Sequence, residues 1–229
     1  PSQRSAVLLL NRSILSSVAK VSGGEGIRIK PAGMHTKAEW TIQMSAIYSS
    51  LTRSNLTTAY LSNGTGGEFY TRISSTAGIQ VKNGRDGDDT WTQIPLQAGK
   101  WLHITYVHKD KKTTVYVNGK VQKVFENSAI TFGENSMIIV GNSGYRNDYL
   151  REIRLWDKAL TESEINDYLY LPMDPATPHL ISYLPLSKEA GIKDLKAPAD
   201  MENVTTKARI EYVENIKFPA DELVIVNQE

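Results

Sequence analysis

Cysteine is absent from the 229 residues, so the chain has no disulfide framework, no thiolate nucleophile and no thiolate zinc site. An excess of charge of one sign is also missing. Lys and Arg number 26 against 25 Asp and Glu, a formal net charge of +1, and no five-residue run is wholly basic. The field that would hold a phosphate backbone by counterion release is therefore not there, and nucleic acid is not an expected partner. No apolar run approaches the roughly 20 residues of a membrane-spanning helix. The nearest stretch, residues 6–19, is broken by Asn11, Arg12 and serines, whereas an export signal keeps its apolar centre intact. The start at Pro1 is that expected of a trimmed chain, with room for an export signal or lipid anchor ahead of it. Gly and Pro stand at 16 and 9 residues, ordinary levels that exclude collagen-like and low-complexity chains.

What is present suits a buried core. The hydrophobic share is 40% and the charged share 22%, and a chain of this length buries roughly 70% of its unfolded surface. Over most of the chain the hydrophobic period is two. Residues 39–45 place Trp40, Ile42 and Met44 on one face and Glu39, Thr41 and Gln43 on the other, the pattern of a half-buried strand. Residues 26–30, 57–61, 68–73 and 79–82 read the same way, separated by turn residues such as Asn63-Gly64 and Gly66-Gly67. Residues 101–107 and 113–117 form a strand pair joined by the polar stretch 108–112. Asn118-Gly119 then returns the chain through residues 121–125, because this dipeptide takes φ > 0 at both central positions of a type I′ hairpin. Residues 137–141 and 152–156 add two more strands, the first apolar enough to be buried on both sides.

One helix interrupts this pattern. Thr161-x-x-Glu164 is a capping box, followed by an apolar stripe of Ile165, Tyr168 and Leu169 ahead of Pro172. Residues 180–186 read as a strand that Pro185 restricts to an edge or an end. About eleven strands and one short helix, without helix–strand alternation, indicate an all-β fold. The expected architecture is an antiparallel β-sandwich, because two amphipathic sheets hide their apolar faces against each other. The expected division is a sandwich over residues 1–187 and a more polar extension over 188–229, packed on the sandwich or serving as a linker, with strand-like segments at 208–213 and 223–226.

Three motifs, in order and spacing, carry a family resemblance: G-x-W-x-H-I at 99–104, Y-V-N-G-K at 116–120 and E-I-R-x-W-x-x-A-L-T-x-x-E-I at 152–165. A fourth, L-x-x-Y-x-P-L at 180–186, accompanies them. Together they resemble the laminin-G-like and pentraxin-like branch of the concanavalin A-like lectin/glucanase superfamily, over about residues 26–194. The resemblance implies a jelly-roll sandwich and a non-catalytic glycan binder of the kind found in bacterial surface lipoproteins of glycan-uptake loci. It also implies an extracellular or outer-membrane-surface location, and calcium as a cofactor known in the superfamily.

The chemistry of the residues can be weighed separately. Glycan hydrolysis needs two carboxylates about 5 to 9.5 Å apart, and on a strand such a pair needs even spacing. No E-x-D occurs anywhere in the chain. Glu162 and Glu164 suit a first helical turn, and no G-x-S-x-G marks an activated serine. His35, His103, His108 and His179 lack the spacing that pre-places zinc ligands. The acidic turn at 83–89 offers Asp86, Asp88 and Asp89 as calcium-type oxygen ligands. A sugar site needs an exposed ring beside amides and charged groups. Trp91 stands in the loop next to that turn, and Asn142, Tyr145, Asn147, Asp148 and Tyr149 gather between two strands. These residues are the sequence's candidate carbohydrate site, whereas Trp40, Trp101 and Trp156 are expected in the core. Two other functions fit the same fold: a protein-interaction or spacer domain, and a glycoside hydrolase with an unfamiliar site. Four sequons, at Asn11, Asn55, Asn63 and Asn203, decide nothing about location.

Overall fold

The alternation at residues 39–45 becomes strand β3 (Trp40–Ile47). Trp40, Ile42, Met44 and Ala46 enter an apolar core, so Thr41, Gln43 and Ser45 point the opposite way. The computed structural model describes residues 17–23, 26–31, 38–52, 57–62, 68–83, 90–126, 136–141, 145–214 and 216. Within these, strands form two antiparallel sheets stacked face to face, a jelly-roll sandwich with one short helix.

The eight-stranded sheet contains β3 with β1 (Val18–Gly23), β8 (Trp101–Lys109), β9 (Lys112–Val117), β10 (Lys120–Phe125), β12 (Tyr145–Trp156), β13 (Leu180–Leu184) and β15 (Arg209–Val213). Its order is β10-β9-β8-β3-β12-β1-β15. β12 is long enough to serve two neighbours on one side, pairing residues 145–150 with β1 and residues 153–156 with β13. β13 stops at Leu184, one residue before Pro185, whose missing N–H cannot extend the ladder. The seven-stranded sheet runs β14 (Val204–Thr205), β2 (Ile27–Ile29), β11 (Met137–Val140), β4 (Thr57–Ser62), β5 (Glu68–Ser74), β6 (Gly78–Asn83) and β7 (Thr90–Trp91). The extension after residue 187 thus adds β14 to one sheet and β15 to the other.

The two sheets are tied by more than apolar contact. The Thr58 hydroxyl on β4 meets the Tyr106 hydroxyl on β8 at 2.5 Å and also bonds the Thr71 hydroxyl on β5. Because Thr71 donates to the Ala59 carbonyl at 2.9 Å, the protons run Tyr106 to Thr58 to Thr71 to Ala59. The Thr71 oxygen also accepts the Ala59 N–H at 2.8 Å, which satisfies the backbone where a bulge interrupts the β4–β5 ladder. Burial raises the Tyr106 pKa to about 12, against the pull of the two threonines. At one rim Lys123 on β10 donates from Nζ to the Trp91 carbonyl on β7 at 3.1 Å, joining the outermost strands of the two sheets.

Helix α1 (Glu162–Asp167) begins on the expected capping box, with Thr161 and Glu164 exchanging side-chain-to-backbone bonds. It packs on the outside of the eight-stranded sheet. There Ile165, Leu160, Met173 and Leu180 cover Val107, Tyr116, Trp156 and Tyr183 in a second, smaller core. The helix is shorter than its apolar stripe suggests: Leu169 is half-buried and Tyr168 is 41% exposed.

Two turns differ in how well they can be read from residue types. Asn118 and Gly119 both adopt positive φ, 52° and 77°, as the dipeptide predicts. The polar stretch 108–112 is not a loop. β8 and β9 continue through it to a two-residue turn at Asp110 and Lys111, with φ of 51° and 58°, values that Asp tolerates and Lys disfavours. The expectation of three core tryptophans holds for Trp40 and Trp156, whereas Trp101 is half-buried on the outer side of its strand.

Candidate functional site

The outer face of the seven-stranded sheet collects the side chains that packing does not use. Ile79 and Val81 enter the core, so Gln80 between them points outward. Its partners in register are Arg72 on β5 and Trp91 on β7. Two residues further along, Tyr60, Tyr70 and Lys82 stand side by side on β4, β5 and β6. Arg28 on β2 reaches the same row through Ile139. The Tyr60 and Tyr70 rings meet edge to face with centroids 6.2 Å apart. Arg72 donates from Nε to the Tyr70 hydroxyl at 2.7 Å, and its guanidinium carbon lies 5.0 Å from the Tyr70 ring centroid. Beyond Arg28 a pocket of about 400 Å³ is lined by Arg28, Thr205, Thr206 and Lys207.

Gln80 is the anomaly on this face. It is 1% exposed, yet neither its amide nitrogen nor its carbonyl oxygen has a hydrogen-bond partner. An unpaired buried amide costs about 1–3 kcal/mol, so such groups are rare outside sites of function or strain. The face therefore combines flat rings, a guanidinium fixed by its neighbour and an amide with all its hydrogen-bonding capacity unused. Rings pack against apolar C–H surfaces, while amides and guanidinium forks bond hydroxyls and acids.

The sequence-predicted site residues separate. Trp91 belongs to the face just described, half-buried at the edge strand. Tyr149 pairs with Lys20 and Ile47 on the outward side of the eight-stranded sheet, so it and Trp91 look out from opposite faces of the sandwich. Tyr145 is not a surface platform. It is 3% exposed within the main core, its hydroxyl donates to the Val140 carbonyl at 2.7 Å, and its ring occupies the space a side chain at Gly141 would need. Asp148 is fully buried. Its Oδ1 accepts from the Ser49 N–H and hydroxyl, and its Oδ2 from the Arg146 N–H, which fastens a chain corner and leaves no oxygen for a sugar. Asn147 is exposed at φ 58°. The physical reason for these corrections is that β12 starts at Tyr145, so residues placed together in a loop alternate between core and surface instead. Asn142 and the proposed calcium ligands Asp86, Asp88 and Asp89 lie outside the described residues. Among the described residues, no three His, Asp or Glu side chains converge as a metal site would require.

Sequence reasoning missed Tyr60, Tyr70, Arg72 and Gln80. Two aromatics and an arginine at outward strand positions were the available signal. The missing partner of Gln80 leaves no trace in residue type.

The outer face of the opposite sheet is polar too, and its buried cluster around Arg154 is bonded within the protein. Arg154 donates from Nε and Nη2 to Glu152 Oε2 and bonds the Tyr168 and Leu171 carbonyls; Glu152 Oε1 accepts from the Tyr183 hydroxyl at 2.9 Å. The Trp156 indole donates to Gln43 at 2.8 Å. His103 lies beneath Tyr170, and burial, with the nearby Arg154 charge, pushes its pKa down to about 3. Asp194 is likewise filled by the Tyr183 and Lys196 N–H groups and the Asn203 amide. Because Asn203 also donates to the Lys30 carbonyl and is buried, its sequon is closed to a glycan.

These features place the chain. The laminin G profile of the concanavalin A-like lectin/glucanases superfamily matches residues 22–166, well over half of the length, and the chain belongs to that superfamily. Its fold is similar to that of a candidate carbohydrate-binding protein from Bacteroides ovatus, with a TM-score of 0.60 and 19% identity over 86% of this chain. The chain spans 60% of that protein's length. It is also similar to the heptameric SAP-like pentraxin of Limulus polyphemus, with a TM-score of 0.57 and 12% identity, covering 87% of this chain and 95% of that one. At such identities the likeness is one of fold. No curated protein matches the chain.

Proposed function

We propose that this chain is a non-catalytic carbohydrate-binding module of a secreted or surface-anchored glycan-utilisation protein, and that it takes its glycan on the outer face of the seven-stranded sheet. The observation that carries the reading is the unpartnered Gln80 amide between Arg72 and Trp91, next to the Tyr60–Tyr70 pair. Packing alone would favour an apolar residue there. A glycan hydroxyl supplies the missing partner once the half-buried Trp91 side chain moves aside to admit it. The buried acids Asp148, Glu152 and Asp194 are all bonded within the protein, which supports binding over hydrolysis.

The test separates site from scaffold. Gln80→Leu removes an unpaired amide and is expected to raise stability by about 1 kcal/mol, while glycan-array binding falls at least about tenfold. Trp91→Ala is expected to abolish array binding with its strand content unchanged. If Gln80→Leu lowers the melting temperature, or if both variants retain wild-type array signals, the reading fails.

A further inference from the structure

We infer that the glycan held on this face is acidic, and that Arg72 receives its carboxylate or sulfate group; the inference rests on the glycan reading of the face given above. Arg72 is pre-positioned: its Nε is engaged by the Tyr70 hydroxyl and its plane lies near the Tyr70 ring. No acceptor among the described residues meets its two terminal nitrogens, and no carboxylate there lies within ion-pair distance of it. Arg154, a buried arginine on the outer side of the other sheet, has its guanidinium filled by the protein. Its nitrogens meet the Glu152 carboxylate and the Tyr168 and Leu171 carbonyls. Arg72 has been given no such partners.

The surroundings point the same way. Arg28 and Lys82 stand on the same outward face, and Lys207 lines the pocket at its far end. Among the described residues, Glu68 at the start of β5 is the one acid at an outward register position of this sheet, against Arg28, Arg72 and Lys82. The chain as a whole is nearly neutral at +1, so the excess of basic over acidic register positions is local to this face. A guanidinium fork matches the two oxygens of a carboxylate or sulfate in a way a neutral hydroxyl does not. Gln80, one strand spacing of about 4.8 Å away, can bond a hydroxyl on the same sugar, and Trp91 beyond it can cover a ring. An acid beside a hydroxyl-bearing ring describes an acidic sugar better than a free inorganic anion.

The experiment measures binding by titration calorimetry, in EDTA so that no metal bridge contributes. The probes are an oligogalacturonate, its carboxyl-reduced neutral counterpart and a sulfated oligosaccharide of similar length. The wild-type protein is expected to bind at least one acidic probe roughly tenfold or more tighter than the neutral one, with the difference shrinking as salt rises. Whether the carboxylated or the sulfated probe binds tighter identifies the acid. Arg72→Gln should erase the acidic preference. Arg72→Lys, which keeps the charge but loses the fork, should restore only part of it. Trp91→Ala should weaken acidic and neutral probes alike. Equal affinity for acidic and neutral probes, or an acidic preference that survives Arg72→Gln in a folded variant, overturns the inference while leaving the glycan reading in place. If no probe binds and the glycan array is also blank, the glycan reading itself fails.

Discussion

His103 sits beneath Tyr170 with its imidazole held neutral, because burial and the Arg154 charge disfavour the cation and lower the pKa to about 3. Burial lowers the His108 pKa as well. In the unfolded chain both titrate near 6.5. As pH falls below that value the unfolded state takes up protons that the folded state refuses, so stability present at neutral pH is lost progressively toward pH 3. The loss from His103 is up to about 1.4 kcal/mol per pH unit. Urea unfolding at about pH 7 and about pH 5, a range in which ordinary carboxylates stay ionised, is expected to show this fall. It should be smaller in His103→Asn; an equal acid loss in that variant would place the titration elsewhere. Tyr145 shows the limit of reading one residue at a time. An aromatic among amides resembles a sugar platform in composition, but the bare Gly141 beside it leaves a socket that the ring fills.

At the level of elements, most of the architecture was legible because the signals are local. The two-residue period predicted β3, β5, β6, β8 and β9, the Asn118-Gly119 dipeptide its hairpin, and Thr161 with Glu164 the start of α1. The β8–β9 turn was not legible, because Asp110 and Lys111 adopt positive φ without a glycine to announce it. The ladders on both sides continue up to Lys109 and Lys112 and impose that geometry. Lys111→Gly should therefore relieve strain at an exposed position. It is expected to raise stability by about 0.5–1 kcal/mol, a gain of roughly 1–4 °C in melting temperature. A lowered melting temperature would show that the turn is not strained.

For the molecule as a whole, the sandwich decides which surfaces can cooperate. Trp91 and Tyr149 lie on opposite outer faces, so one glycan chain cannot be gripped by both. Tyr149→Ala is expected to leave glycan affinity within about twofold of wild type, while Trp91→Ala lowers it at least about tenfold. Comparable losses in both would mean that the opposite face also binds. The sequence by itself determined the antiparallel β-class, the capped helix and the superfamily, because hydrophobic period, turn dipeptides and motif spacing act over a few residues. Tertiary structure alone decided that Tyr145 and Asp148 are internal, and that Tyr60, Tyr70, Arg72 and Gln80 share a face. Each depends on which strands become neighbours and in what register, and a one-residue change of register would turn every one of those side chains to the other side of the sheet.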